Sequence, residues 1–288
     1  MAYYLEEGQS SIFSKVKIYG NECVISKIGA NAKKIEKIVK KLKKKNINQL
    51  VLKKEMKENE EFIKVLNNYD IAIIDGKWLM QYMLQNVIDY LNEKRKTSDI
   101  DEITILANDL TNELKQNIKR FVSNYKKIRI ITNHLEKFKK IEQELYEESG
   151  IPIIITNNKR KALAKSNLII NFDFVQETIN QYSVNENAII INLGKKIKIN
   201  KKRFSGVIIT DYEVEMKKFE EKKELNFFDL EDILLKQKDF SLKEILEEKI
   251  YTSIEKQPNY SFFETIEEII KKYNIEISTL YGINGLIF

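Results

Sequence analysis

The middle of the chain alternates between short apolar runs and longer segments in which apolar residues recur at helical spacing. The runs are ITILA at 103–107, IRIIT at 128–132, PIIIT at 152–156, NLIIN at 167–171, AIIINL at 188–193 and VIIT at 207–210. The segments between them predict helices over 110–124, 135–149, 158–165 and 175–181, with Gly150 as a C-terminal cap. Continuous apolar runs are typical of parallel strands buried on both faces. The alternation therefore predicts a doubly wound parallel sheet over residues 100–215.

The flanking segments predict a smaller α/β domain before this sheet and helices after it. Residues 1–95 combine a hairpin over 12–28, with its turn at Gly20-Asn21, and further short strands and helices, including a long one from 75 to 95. A polar linker is expected at 94–102. Residues 216–288 are expected to form a C-terminal helical segment that packs on the other domains, with its apolar tail docked.

Charge adds one candidate surface. The net charge is +6, from 49 basic and 43 acidic residues, and the densest basic run is KKIEKIVKKLKKKN at 33–46. Its apolar stripe, Ile35, Ile38, Val39 and Leu42, has helical spacing, so the lysines occupy the other face. Such a face can bind nucleic acid or an anionic surface, or it can simply be solvated. We favour the solvated face, because no aromatic residues interleave with the lysines to stack on bases; nucleic acid is not an expected partner.

Composition excludes several classes of protein. The apolar runs are too short to span a bilayer, and the N-terminus lacks the basic start and apolar core of a signal peptide, so a cytoplasmic protein is expected. The only cysteine, Cys23, excludes an internal disulfide, and no cluster of cysteine and histidine predicts a metal site. The oligomeric state is left open.

Polar residues follow six of the predicted strands. They are Asn108, Asp109, Asn133, His134, Asn157, Asn171, Asp173, Asn192 and Asp211. Because ligands of open α/β sheets bind beyond the carboxyl ends of the strands, these residues predict a polar crevice. Asparagine and aspartate also form turns and helix caps after any strand. His134, the only histidine, is either an acid–base group with an aspartate partner or a surface residue; we favour the surface residue.

The sequence DGKW offers a second candidate site. Asp75 and Lys77 could face a cleft between the two domains, where a small-molecule ligand would bind and an acid and an amine could act on it. Alternatively, Asp75 caps the following helix, Gly76 eases the bend and Trp78 is packed as an anchor. We favour the second interpretation.

Two stretches resemble a known family. IRIITNHLEKFKKIEQEL at 128–145 and KSNLIINFD at 165–173 are similar to the NAD(P)-binding Rossmann domain of the shikimate dehydrogenase and glutamyl-tRNA reductase type. The resemblance implies that Asn133, His134 and Lys137 lie near the adenosine 2′-phosphate. It also implies that Asn171 lies near the nicotinamide. An α/β substrate domain before the cofactor domain suits the same family.

The glycine-rich turn of that family falls on residues 107–112, where this chain has no glycine. Asn108 and Asp109 stand in the turn, and we expect the Asp109 carboxylate to cap the next helix and to repel a pyrophosphate. NADP or NAD is therefore expected to bind weakly or not at all. Two functions are left open: an NAD(P)-dependent oxidoreductase, and a non-catalytic member that binds a small ligand or a protein.

Overall fold

The computed structural model describes residues 3–8, 17–19, 22–26, 32–95, 100–150, 153–199, 204–216, 236–237, 240–255 and 262–287. The chain divides into two compact units, each made of two segments. The first contains Met1–Leu79 and Lys218–Tyr273, and the second contains Met80–Lys217 and Asn274–Phe288.

The strands are β1 Tyr3–Gly8, β2 Lys17–Tyr19, β3 Glu22–Ser26, β4 Gln49–Leu52, β5 Ala72–Ile74, β6 Glu102–Leu106, β7 Lys127–Ile131, β8 Ile153–Thr156, β9 Leu168–Asn171, β10 Ile189–Asn192, β11 Val207–Met216, β12 Ile275–Gly282 and β13 Gly285–Leu286. The helices are α1 Ala32–Lys44, α2 Lys54–Lys57, α3 Glu60–Asn68, α4 Lys77–Tyr82, α5 Leu84–Arg95, α6 Asn112–Asn124, α7 Leu135–Ser149, α8 Lys159–Leu163, α9 Gln176–Asn180, α10 Leu242–Glu255 and α11 Phe262–Lys272.

The second unit is built on a Rossmann-like sheet. Its strand order is β8-β7-β6-β9-β10-β11, and all six strands are parallel. Numbered along the chain from β6, this is the order 3-2-1-4-5-6, in which the connections reverse direction between β6 and β9. The predicted doubly wound α/β fold is confirmed. The inner strands β9 and β10 are buried along their whole length, as their continuous apolar runs indicated.

Two further strands extend this sheet. β12 pairs antiparallel with β11, and β13 pairs antiparallel with β12. The tail at 277–288 was expected only to dock on the protein. It contributes strands instead, because β11 continues to Met216 and so exposes a long edge for pairing.

Local signals account for several helix boundaries. Gly150 caps α7 with φ +69°, a left-handed conformation that glycine adopts without a steric penalty. The helix predicted from 75 to 95 is interrupted at Met83, whose backbone N–H bonds to the carbonyl of Met80 three residues earlier. It is therefore two helices, α4 and α5.

The first unit contains a sheet in the order β2-β3-β1-β4-β5, in which only β2 is antiparallel to its neighbour. The predicted pairing of β2 with β3 is confirmed, although the turn at Gly20-Asn21 lies outside the described residues. The central strand β1 was not predicted. Parts of the predicted linker, 96–99, and of the C-terminal segment, 217–235, also lie outside the described residues.

The lysine-rich helix α1 packs its apolar stripe into the core of the first unit. Ile35, Val39 and Leu42 are 0% exposed and lie in one cluster with β4 and α3. Lys37, Lys40 and Lys41 are exposed on the other face. Packing of the apolar stripe into the core therefore accounts for the amphipathic pattern of α1.

We expect Leu42→Ala to lower the free energy of unfolding by about 2–5 kcal/mol, because it removes a buried side chain and leaves a cavity. The adjacent substitution Lys41→Ala is the matched control and should change it by less than about 0.5 kcal/mol. Chemical denaturation measures both. Equal effects of the two substitutions would contradict the assignment of the buried face.

Candidate functional site

The carboxyl ends of β6, β7 and β9 lie side by side because the three strands are paired in register. Leu106 pairs with Ile131 on one side and with Asn171 on the other. Two residues beyond this aligned row stand three polar residues, Asn108, Asn133 and Asp173. Because parallel strands leave the sheet at one edge, the register brings together residues that are as far as 65 positions apart in sequence.

The Asp173 carboxylate accepts hydrogen bonds from backbone N–H groups of the β6 turn, which we define as residues 107–111. It accepts hydrogen bonds from the backbone N–H of Asn108, with N–O distances of 2.7 and 2.9 Å, and from that of Asp109 at 3.0 Å. The side-chain amide of Asn108 donates another at 3.1 Å. In dinucleotide-binding proteins, N–H groups of this turn bind phosphate oxygens. Here the Asp173 carboxylate accepts the hydrogen bonds from these N–H groups instead.

The prediction that Asp109 caps the following helix is wrong. Thr111 caps α6, and its hydroxyl oxygen accepts the N–H of Leu114 at 3.2 Å. The Asp109 side chain is 71% exposed, and its carboxylate lies 2.7 Å from the Nζ of Lys137. The hydrogen bond from Lys137 lowers the pKa of Asp109 and so favours its ionised form. Asp109 and Lys137 therefore neutralise one another at the surface.

Asn133 and Lys159 extend the network at this edge. The side-chain oxygen of Asn108 accepts the backbone N–H of Asn133 at 3.0 Å, and the side-chain oxygen of Asn133 accepts a hydrogen bond from the Nζ of Lys159 at 2.6 Å. Lys159 is only 9% exposed. It was not predicted, because nothing in its flanking sequence distinguishes it from the many other lysines. The carboxyl edge thus holds two lysines, Lys137 and Lys159, and two aspartates, Asp109 and Asp173. Their side chains bond mainly to other residues of the same edge.

Asn171 and His134 differ in their surroundings. Asn171 is fully buried; its amide donates to the carbonyl of Phe174 and to Asn192, and its oxygen accepts the N–H of Phe174. These bonds brace the connection between β9 and α9. His134 is exposed at the start of α7, and its ring makes no hydrogen bond to the described residues.

In the first unit, Asp75 stands at the end of β5 and accepts the backbone N–H of Lys77 at 3.0 Å. Gly76 has φ +82°, and a Cβ there would lie 2.8 Å from the Cγ of Lys243, so glycine is required at this bend. Trp78 packs edge-on against Tyr251, with ring centroids 5.6 Å apart. These contacts match the interpretation of the turn as a helix start with an anchoring tryptophan.

Helix α10 adds buried carboxyl groups beside this turn. Glu247 is 6% exposed and accepts the N–H of Leu79 at 2.9 Å. Burial raises the pKa of Glu247 to about 8, with smaller contributions from the nearby charges of Asp75 and Glu244. Glu244 itself forms an ion pair with Lys57. The sequence did not reveal this burial, because α10 interleaves its apolar residues with lysines and glutamates.

Neither site has the composition of a metal centre. Within the described residues, no group of three or more histidine, cysteine, aspartate or glutamate side chains is placed to hold a metal ion. The same part of the chain contains no helix that combines the length and the apolar character needed to cross a membrane.

No protein-family model matches the chain, and no curated protein matches it significantly. Among solved structures, it is similar to L-tryptophan dehydrogenase from Nostoc punctiforme, with 10% identity, coverage of 88% of this chain and 68% of that one, and a TM-score of 0.33. It is also similar to shikimate 5-dehydrogenase from Listeria monocytogenes in complex with shikimate and NAD. The identity is 11% and the TM-score 0.28, and the match covers 60% of this chain and 68% of that one.

A third similar structure is Δ(1)-pyrroline-2-carboxylate reductase from Thermococcus litoralis in complex with NADH and L-proline. The identity is 16% and the TM-score 0.29, and the match covers 40% of this chain and only 36% of that enzyme. Similarities of this size carry no functional argument. The assignment of the Rossmann-like fold depends on the strand order and the pairing described above.

The raised pKa of Glu247 makes a prediction about stability. Between its ordinary value of 4.5 and about 8, the folded protein holds a proton that the unfolded chain releases, so stability should fall as pH rises through this window. Glu247→Gln keeps an oxygen for Leu79 but does not titrate. We expect this variant to gain on the order of 1 kcal/mol or more relative to the parent protein between about pH 5 and pH 8, measured by denaturation.

Glu247→Ala is the companion variant. It removes the acceptor as well as the charge, so the N–H of Leu79 loses its partner. It should be less stable than Glu247→Gln at every pH. If Glu247→Gln shows the same pH dependence of stability as the parent protein, the buried carboxyl group is not the source of that dependence.

Proposed function

We propose that the protein is a non-catalytic binding member of the Rossmann-like fold, in which Asp173 takes the place of a cofactor phosphate. The observation that carries this proposal is the set of hydrogen bonds from the β6 turn to the Asp173 carboxylate. The protein then uses its fold to bind a small ligand or another protein, and not to transfer a hydride.

A dinucleotide competes with Asp173 for the backbone donors of the β6 turn. A pyrophosphate in the usual pose needs the N–H groups of residues 108 and 109, and each of these groups already serves Asp173. Hydrogen bonds to a charged acceptor contribute about 1.5–3 kcal/mol, and an intramolecular partner forms them without the entropy cost of association. A dinucleotide must therefore displace a better-placed competitor.

Charge repulsion acts in the same direction. A phosphate brought to within about 4 Å of the Asp173 carboxylate meets a repulsion of about 1–4 kcal/mol near a protein surface. Glu113 adds a further carboxylate in the first turn of α6. Of the two nearby lysines, Lys137 is paired with Asp109, whereas Lys159 is bonded to the neutral side chain of Asn133 and offsets part of this repulsion.

The competing function is an NAD(P)-dependent oxidoreductase. The strand order supports it, because dinucleotides bind at the point where the strand order of this fold reverses. That function requires Asp173 to swing away from the β6 turn whenever NADP or NAD binds. Fold alone does not establish the reaction.

Titration with NADH and NADPH, followed by nicotinamide fluorescence, separates the two functions. We expect no binding to the parent protein at millimolar cofactor. Asp173→Ala frees the two backbone N–H groups and should permit measurable binding of NADH, while it lowers the free energy of unfolding by about 1.5–3 kcal/mol. Tight binding of either cofactor by the parent protein would overturn the proposal.

Asp109→Ala is the matched control. It also removes one carboxylate from the β6 turn, but it leaves the bonds to Asp173 in place. It should not gain cofactor binding. If Asp109→Ala gains affinity and Asp173→Ala does not, the group that blocks the turn is Asp109 and our assignment of Asp173 is wrong.

A further inference from the structure

A basic cavity of about 400 Å³ lies on one face of the Rossmann-like sheet in the second unit, next to its edge strand β8. We define it by six of its lining residues, Lys127, Arg129, Ile154, Thr156, Lys161 and Lys165. Its volume is within the range of pockets that hold small organic ligands. It contains no residue of the β6 turn.

The cavity carries more positive than negative charge. Lys127 and Arg129 share one carboxylate, that of Glu102, at 2.8 and 2.5 Å. Lys161 and Lys165 are exposed, and neither ammonium group is paired with any of the described residues. Among the described residues, four cations thus face a single carboxylate, and a concave wall concentrates their field. Their mutual repulsion is relieved by an anion that enters the cavity.

Protection of the sheet edge does not explain these charges. Edge strands are often protected from aggregation by charged residues on the edge strand itself. The edge strand β8 has the sequence IIIT, and it presents Ile154 and Thr156 to the cavity. The cations come instead from β7 and from the segment at α8. They surround the cavity and do not line the exposed edge.

We propose that the basic cavity binds a small phosphorylated molecule. Its phosphate groups lie among Lys161, Lys165 and Arg129, and its organic part lies against Ile154, which is 39% exposed. Arg129 is only 12% exposed, and its ion pair with Glu102 keeps the guanidinium at the cavity. The hydroxyl oxygen of Thr156 accepts the N–H of Asn158, which leaves its hydrogen for a phosphate oxygen.

The size and lining of the cavity favour a small molecule over nucleic acid. Single-stranded nucleic acid needs an extended basic groove and aromatic residues for base stacking. Among the described residues that line the cavity, none is aromatic. This proposal is independent of Asp173, since the two sites share no residue.

Calorimetric titration of the whole protein with inorganic pyrophosphate and with ADP tests the site. Both should bind, and both should bind more weakly as ionic strength rises. The double substitution Lys161→Ala and Lys165→Ala should lower the affinity for both by on the order of ten- to a hundredfold. The two lysines are exposed and unpaired, so we expect the variant to fold.

Lys139→Ala together with Lys140→Ala is the control. It removes the same charge from the exposed face of α7, where both lysines make only surface ion pairs. Affinity should stay within about twofold of the parent protein. Equal losses in the two double variants would show a general charge effect and would overturn the proposal.

Ile154→Thr tests the place of the organic group. It keeps a β-branched residue in the strand and removes apolar surface, so it should weaken the binding of ADP by about two- to fivefold and leave the binding of pyrophosphate unchanged.

An absence of binding by both probes at millimolar concentration would overturn the proposal. The proposal would also be overturned if an oligonucleotide bound in a way that depends on Lys161 and Lys165 while pyrophosphate and ADP did not bind. Adding Lys161→Ala and Lys165→Ala to Asp173→Ala should weaken binding at the cavity and retain the NADH binding of the β6 turn, so failure here is distinct from failure of the proposed function.

Discussion

The parallel pairing of β6 with β7 and β9 determines what lies at the carboxyl edge of the Rossmann-like sheet. The register places Leu106, Ile131 and Asn171 in one row, and the polar residues that follow them meet there. In many proteins of this architecture that meeting place receives a ligand. Here Asp173 is close enough to bond the turn from across the row. The same alignment that would build a nucleotide site lets the chain fill it.

The two units use carboxylates to satisfy backbone donors in a similar way. Asp173 accepts N–H groups of a turn, and Glu247 accepts an N–H at the start of α4, so each carboxylate satisfies backbone donors that have no partner in regular structure. They differ in solvation: Asp173 is half-buried among polar groups, whereas Glu247 is buried and has a raised pKa. The raised pKa of Glu247 makes stability depend on pH near neutrality.

The six parallel strands of the second unit could be predicted because each contains a short, largely apolar run, which is typical of strands in a buried parallel sheet. β1 could not, since YYLEEG places two glutamates and a glycine in a central strand. The candidate site was predicted in outline, because residues after parallel strands share an edge. Its contacts were not, since Asp173 and Asn108 meet only through the register of strands far apart in sequence. Nor does periodicity show which of many lysines, such as Lys159, is buried.

The division of each unit into two segments has a consequence for synthesis on the ribosome. The first unit needs Lys218–Tyr273, which is made only after the parallel strands β6 to β11 of the second unit. The N-terminal segment therefore leaves the ribosome before α10 has been made, and most of the second unit can fold in the meantime. Because β12 and β13 follow every other strand of this sheet along the chain, β11 has no partner along its outer edge until they have been made. An incomplete chain thus exposes a strand edge that can pair with another copy.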